Sequence, residues 1–248
     1  MNQQEKTDPA FDNIKLTSEI NKILKSLEDH LIITSIPKNS VSLPSAKMGI
    51  LLTTSVLKIK LLGLDLIELV NNHKFLVAMA TLRMIFEELV LLIFVLSKLE
   101  KLPDWPSTEY VLTRVLVGRH SRDETDIPPE KKPYNIVTAL EEAEKYADKL
   151  PGDTKGKFDE TYTFISDFVH PNAPTRYYFW QIVGESVTFV YRKEVGRDDL
   201  GSILNYTSIT LKLYLHIWTK LNELKFKDLG YSGLTSWSED LRLKNGSR

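Results

Sequence analysis

Two long apolar runs, residues 46–70 and 75–99, stand only four residues apart, across Asn71-Asn72-His73-Lys74. Each repeats Leu, Ile, Val, Met or Phe at helical spacing and is too long for an ordinary strand. Two such helices joined by so short a turn lie antiparallel, which commits the chain to a helical bundle. The second run is long enough to cross a bilayer, but Arg83, Glu87 and Glu88 fall in its middle. Each charge at the centre of a spanning helix costs about 2.5 kcal/mol or more. The run therefore predicts a helix buried in a protein core, and no membrane partner.

The remaining segments follow the same logic. Helical periodicity predicts helices over 16–31, 107–119, 134–150, 157–170 and 198–226. Ser107 is placed to cap the second of these, and Gly63 is tolerated inside the 46–70 helix at a cost of about 1 kcal/mol relative to Ala. Pro- and Ser-rich or Pro- and Lys-rich stretches, "SIPKNSVSLPS" and "DIPPEKKP", read as loops. The one strand signal is "RYYFWQIVGESVTFVYRKEV", two runs of aromatic and β-branched residues about a glycine-containing turn. The expected fold class is all-α: a helical bundle with long antiparallel central helices and one inserted β-hairpin at about 176–194. Residues 1–14 are expected to be disordered, 15–227 to form a single helical domain, and 228–248 to be a loose tail.

With 248 residues and a formal net charge of -1, the chain has a sizeable core and no global basic field to draw it to nucleic acid or anionic lipid. It has no cysteine, which excludes disulfides, thiolate metal sites and a cysteine nucleophile. That usage suits a reducing cytosol, and the polar start "MNQQEKTDPAFDN" lacks the apolar core of a signal peptide. A cytoplasmic protein is the expectation. There is no Gly-rich phosphate loop, no nucleophile elbow and no pair of histidines at metal-ligand spacing, so no cofactor and no metal is expected.

Two places could carry chemistry. On the helix from Phe75, a stripe through Arg83 collects Leu76, Ala80, Glu87, Val90 and Phe94, while Ile85, Leu92 and Leu96 lie opposite. A helix apolar nearly all round is buried, and its charges must be paired. Arg83 and Glu87 read either as an intrahelical ion pair that orients the core or as a polar site within the bundle. The second place is "YTFISDFVHPN", where a helix ends at His170-Pro171. His170 reads either as a C-terminal cap on the last carbonyls or as a group reaching Glu87 or Arg83.

These two blocks resemble a group of bacterial helical proteins. "VNNHKFLVAMATLRMIFEELVLLIFVL" is similar to its polar turn followed by an "LxRxxxE" helix, and "YTFISDFVHPN" to its "VHP" helix end. The resemblance spans roughly residues 45 to 195 and singles out Arg83, Glu87, Tyr162, His170 and Pro171. The group is similar in architecture to the HEPN (higher eukaryotes and prokaryotes nucleotide-binding) superfamily, many of whose members are metal-independent ribonucleases. That superfamily's usual mark is an Arg followed four to six residues later by a His, and Arg114 and His120 fit the spacing. The residue after the Arg is usually polar in active members, whereas here it is Val115. On residue type alone, Arg114, Arg119, His120 and Arg122 form the solvated basic end of a short helix.

The resemblance implies an RNA-related or defence-associated protein, with RNA as a partner and possible assembly as a homodimer. In such an enzyme His170 or His120 would move a proton at the ribose 2′-hydroxyl or leaving group, and Arg83 or Arg114 would stabilise the phosphorane. Catalytic roles would then fall on His170, Arg83, Glu87, Arg114 and His120. The competing expectation is a non-enzymatic interaction or regulatory module with a structural Arg-Glu-His network.

Overall fold

A computed structural model of the chain describes residues 9–27, 44–101, 105–117, 134–169, 180–183, 185–189 and 197–227. Helix formation follows the apolar stripes read above. The helices are α1 (Pro9–Ser26), α2 (Pro44–Asn71), α3 (Phe75–Leu99), α4 (Trp105–Val117), α5 (Ile136–Tyr146), α6 (Lys157–Val169) and α7 (Arg197–Lys227). A short 3-10 turn, Ala147–Lys149, extends α5. The architecture of the described residues is all-α, apart from two short strands. These are β1 (Trp180–Val183) and β2 (Ser186–Phe189), antiparallel, with Trp180 opposite Phe189 and Val183 opposite Ser186. Glu185 lies in the turn between them. The rest of the 176–194 segment lies outside the described residues, as do 1–8 and 228–248.

Two helix starts differ from expectation, both because proline is harmless in a first turn, where no intrahelical donor is needed. Helix α1 begins at Pro9, so residues 9–14 are helical rather than disordered. Helix α4 begins at Trp105 with Pro106 next, so Ser107 lies inside the helix instead of capping it.

The α2–α3 joint explains the antiparallel pair. The backbone N–H groups of Asn72, His73 and Lys74 bond back to the carbonyls of Glu68, Val70 and Leu69. His73 takes a left-handed conformation (φ 54°) that reverses the chain. Helix α3 is the central element and packs against α2, α4, α5, α6 and α7, while α1 packs on α7 and α2. Met79, Leu82, Ile85, Leu89, Leu92 and Phe94 on α3 are sealed in the core. The expectation that α3 is apolar and buried all round needs correction in its N-terminal half, where Val77 and Met84 are exposed. Among the described residues, no helix is long and apolar enough to cross a membrane.

Two buried polar side chains on α7 find partners on α2. The Tyr214 hydroxyl on α7 donates to Ser55 Oγ on α2 at 3.0 Å, and Trp218 Nε1 donates to the Leu52 carbonyl at 3.2 Å. Both bonds tie α7 to α2, where an unpaired group would cost about 1–3 kcal/mol. Burial pushes the Tyr214 phenol up, and the Glu88 charge adds to the effect.

Candidate functional site

The sequence stripe on α3 becomes a three-residue polar centre between α3 and α6. Arg83 Nε donates to Glu87 Oε1 at 2.8 Å, one helical turn along, and Arg83 Nη2 donates to the Tyr162 hydroxyl oxygen at 2.8 Å. The guanidinium carbon also lies 5.1 Å from the Tyr162 ring centroid, within cation–π range. Burial disfavours the charged guanidinium, but the bonds to Glu87 and Tyr162 outweigh that and hold its pKa above the ordinary value. The side chains of Arg83 and Glu87 are 17% and 33% exposed, so the centre is embedded yet reaches water. Along the same two helices, Phe164, Phe168 and Phe75 form a chain of edge-on ring contacts that seats α6 on the start of α3.

His170 and Pro171, at the end of α6, lie outside the described residues, and so does any meeting of His170 with Glu87 or Arg83. Among the described residues, Tyr162 is a polar group that another helix brings to Arg83.

The neighbouring acid, Glu88, points elsewhere. It is 6% exposed and accepts a 2.6 Å bond from Lys58 Nζ on α2. The sequence marked Glu88 only as a charge in an apolar run. Its partner could have been found from the antiparallel α2–α3 pairing, which faces Lys58 towards it across 30 positions.

Arg114 on α4 is held between aromatic rings, with its guanidinium carbon 3.9 Å from the Tyr134 centroid and 5.6 Å from that of Tyr110. Tyr110 is its i−4 neighbour and legible in the sequence, whereas Tyr134 arrives from the segment before α5. Burial pushes the Tyr134 phenol up, and the Arg114 charge works against that shift. Arg119, His120 and Arg122 lie outside the described residues. On the same helix, Glu109 and Thr113 both bond Lys47 Nζ on α2, at 2.7 and 2.9 Å.

Sequence reasoning missed a second polar group, at the α3–α5 junction. Lys98, Lys101 and Lys145 converge on Glu142 at 3.5, 3.3 and 3.3 Å. Burial would raise the Glu142 carboxyl, but the lysines overcome it and lower its pKa to about 2. Beside it, Glu100 accepts from the Tyr146 hydroxyl at 2.6 Å and from Lys149 Nζ at 2.7 Å. Burial first, and then the Glu100 bond, push the Tyr146 phenol far up. Further along α5, the Glu144 carboxylate accepts from the backbone N–H groups of Gly156, Phe158 and Asp159, at the start of α6. A carboxylate there satisfies donors that the helix cannot and faces the positive end of its dipole. Glu144 thus fixes the entry of α6, and with it the position of Tyr162 against Arg83.

Chemically, the Arg83 centre is a bolt with one solvent-reaching edge. It joins two helices, carries a fixed positive charge and offers Glu87 as its most accessible acceptor. The chain matches no family model, and neither a curated protein nor a solved structure matches it.

Proposed function

We propose that this chain is a non-enzymatic helical interaction or regulatory module, in which Arg83, Glu87 and Tyr162 form a structural link between α3 and α6. The observation that supports this reading is the engagement of Arg83 by the chain's own groups. One edge of its guanidinium serves Glu87 and another serves Tyr162. An arginine that stabilises a phosphorane directs N–H groups at the phosphate, and two of the five on Arg83 are directed at Glu87 and Tyr162 instead. Arg114 packs its guanidinium against the rings of Tyr110 and Tyr134, a further contact within the chain. The test is incubation of the purified protein with single-stranded and structured RNA in the presence of a chelator. No cleavage is expected beyond that of an Arg83→Ala, His170→Ala double variant. Cleavage lost in either single variant at unchanged folding refutes the proposal.

A second reading is a HEPN-like, metal-independent ribonuclease in an RNA-related or defence-associated role. It is favoured by the 17% and 33% exposure of Arg83 and Glu87, because a fully sealed bolt would serve structure alone. In this reading His170 or His120 transfers the proton and Arg83 or Arg114 faces the phosphate, with the site completed in a homodimer. The same assay separates the two readings.

A further inference from the structure

Between α3, α6 and α7 lies a half-open cavity of about 240 Å³. Its deep wall is apolar: Phe86, Leu89 and Phe158 are almost wholly buried, and Leu213 closes the α7 side. A half-open cleft of this size, walled on its inner side by core side chains, has room for a small ligand. For scale, an engineered apolar cavity of about 150 Å³ holds benzene. The present volume suits a fused bicyclic aromatic of roughly nine or ten non-hydrogen atoms on the same scale.

The lining narrows the ligand class further. Phe86 and Phe158, with centroids 6.0 Å apart and planes tilted by 39°, give the wall an aromatic surface that packs well against another ring. Lys157, the cation at the mouth, is already engaged, and the acids around it outnumber it. Lys157 pairs with Glu160 at 2.7 Å, and this bond, with the Asp153 charge nearby, raises the Lys157 pKa. A negatively charged ligand entering there gains nothing, because the lysine is paired and Asp153 stands at the same mouth. The lining also includes hydroxyl side chains, Thr210 on α7 at 3% exposure and the half-buried Thr161 on α6. A buried hydroxyl favours a ligand that brings one hydrogen-bonding group.

We propose that this cavity is a binding site for a neutral bicyclic aromatic carrying a single N–H or O–H donor, of the size of indole, with Thr210 as the hydrogen-bonding group. The site is independent of the Arg83 centre and of either reading of it.

The experiment titrates the full chain with indole, following amide chemical shifts and binding heat. Wild type should bind indole saturably at one site, with shifts centred on residues 154–161 and 206–213. Thr161→Phe, which plugs the cavity, should abolish binding. Thr210→Val keeps the volume and removes the hydroxyl, so its affinity should fall roughly threefold to tenfold, the range for one neutral hydrogen bond. Indole-3-acetate, the charged analogue, should bind more weakly than indole. Absence of saturable indole binding overturns the proposal, as does binding that survives Thr161→Phe. Equal affinity in Thr210→Val, or tighter binding of the anion, overturns it too. Should Thr161→Phe fail to fold by circular dichroism, the Thr210→Val comparison decides.

Discussion

Replacing Arg83 with alanine removes one side of the α3–α6 link, and the structure allows the cost to be built up. The bond to the Tyr162 hydroxyl is charge-assisted and crosses between helices, a class worth about 1.5–3 kcal/mol. The Glu87 pair is intrahelical and has a partner one-third exposed, so solvent screening limits it to about 0.5 kcal/mol. Loss of the guanidinium contact with the Tyr162 ring adds to the cost, and the better helix propensity of alanine offsets a few tenths of a kcal/mol. The sum is a destabilisation of about 2–3 kcal/mol, read from urea denaturation with an unchanged m-value. The sharper assay is a double-mutant cycle with Tyr162→Phe, which deletes only the phenol oxygen. A coupling energy of about 1–2 kcal/mol is expected if the two side chains act through that bond. Arg83→Lys should recover less than half, because an ammonium cannot serve Glu87 and Tyr162 with the same planar fork. Arg83→Ala within about 0.5 kcal/mol of wild type, together with no coupling to Tyr162, would refute the reasoning, since that is the ordinary range for a surface change.

Three further outcomes are expected. Glu142, held at a pKa of about 2, stabilises the fold at neutral pH. A lowered carboxylate contributes fully above its unfolded value of 4.5 and loses that contribution as pH falls towards 2. Lys101 and Lys145 are largely exposed, so the contribution is about 1–2 kcal/mol after screening, and wild type but not Glu142→Gln should lose it between those pH values. Glu144→Ala should cost about 1–2 kcal/mol in urea unfolding, as for a lost N-terminal cap, and should speed amide exchange at Phe158 and Asp159. At Gly63 an added Cβ would lie 2.6 Å from Leu24 Cδ2. Gly63→Ala should therefore destabilise despite a helix-propensity gain of about 1 kcal/mol, and should become stabilising in a Leu24→Ala background.

The bundle was legible because helix formation and burial follow from spacing along the chain. A stripe such as Leu82, Ile85, Leu89 and Leu92 declares its own buried face, and the four residues from Asn71 leave no room for any arrangement but an antiparallel return. The boundaries were less legible, since α1 starts at Pro9 and α4 carries Pro106 in its first turn, where proline costs nothing. Arg83 and Glu87 were legible as a pair for the same local reason, as they stand one turn apart.

What holds them could not be read in that way. Tyr162 reaches Arg83 across 79 positions, and Tyr134 reaches Arg114 from beyond the segment 118–133. Spacing carries no record of such meetings. The resemblance named Tyr162 without giving its partner. Gly63 shows the same division: local propensity makes it a defect in α2, whereas the crossing of α1 makes it the space that Leu24 occupies. The sequence by itself determined which segments are helices and which faces they bury, because those follow from the 3.6-residue period and the transfer of apolar surface from water. Only the tertiary structure decided which polar groups meet, because a hydrogen bond requires atoms within about 3 Å and that distance is set by how whole helices pack.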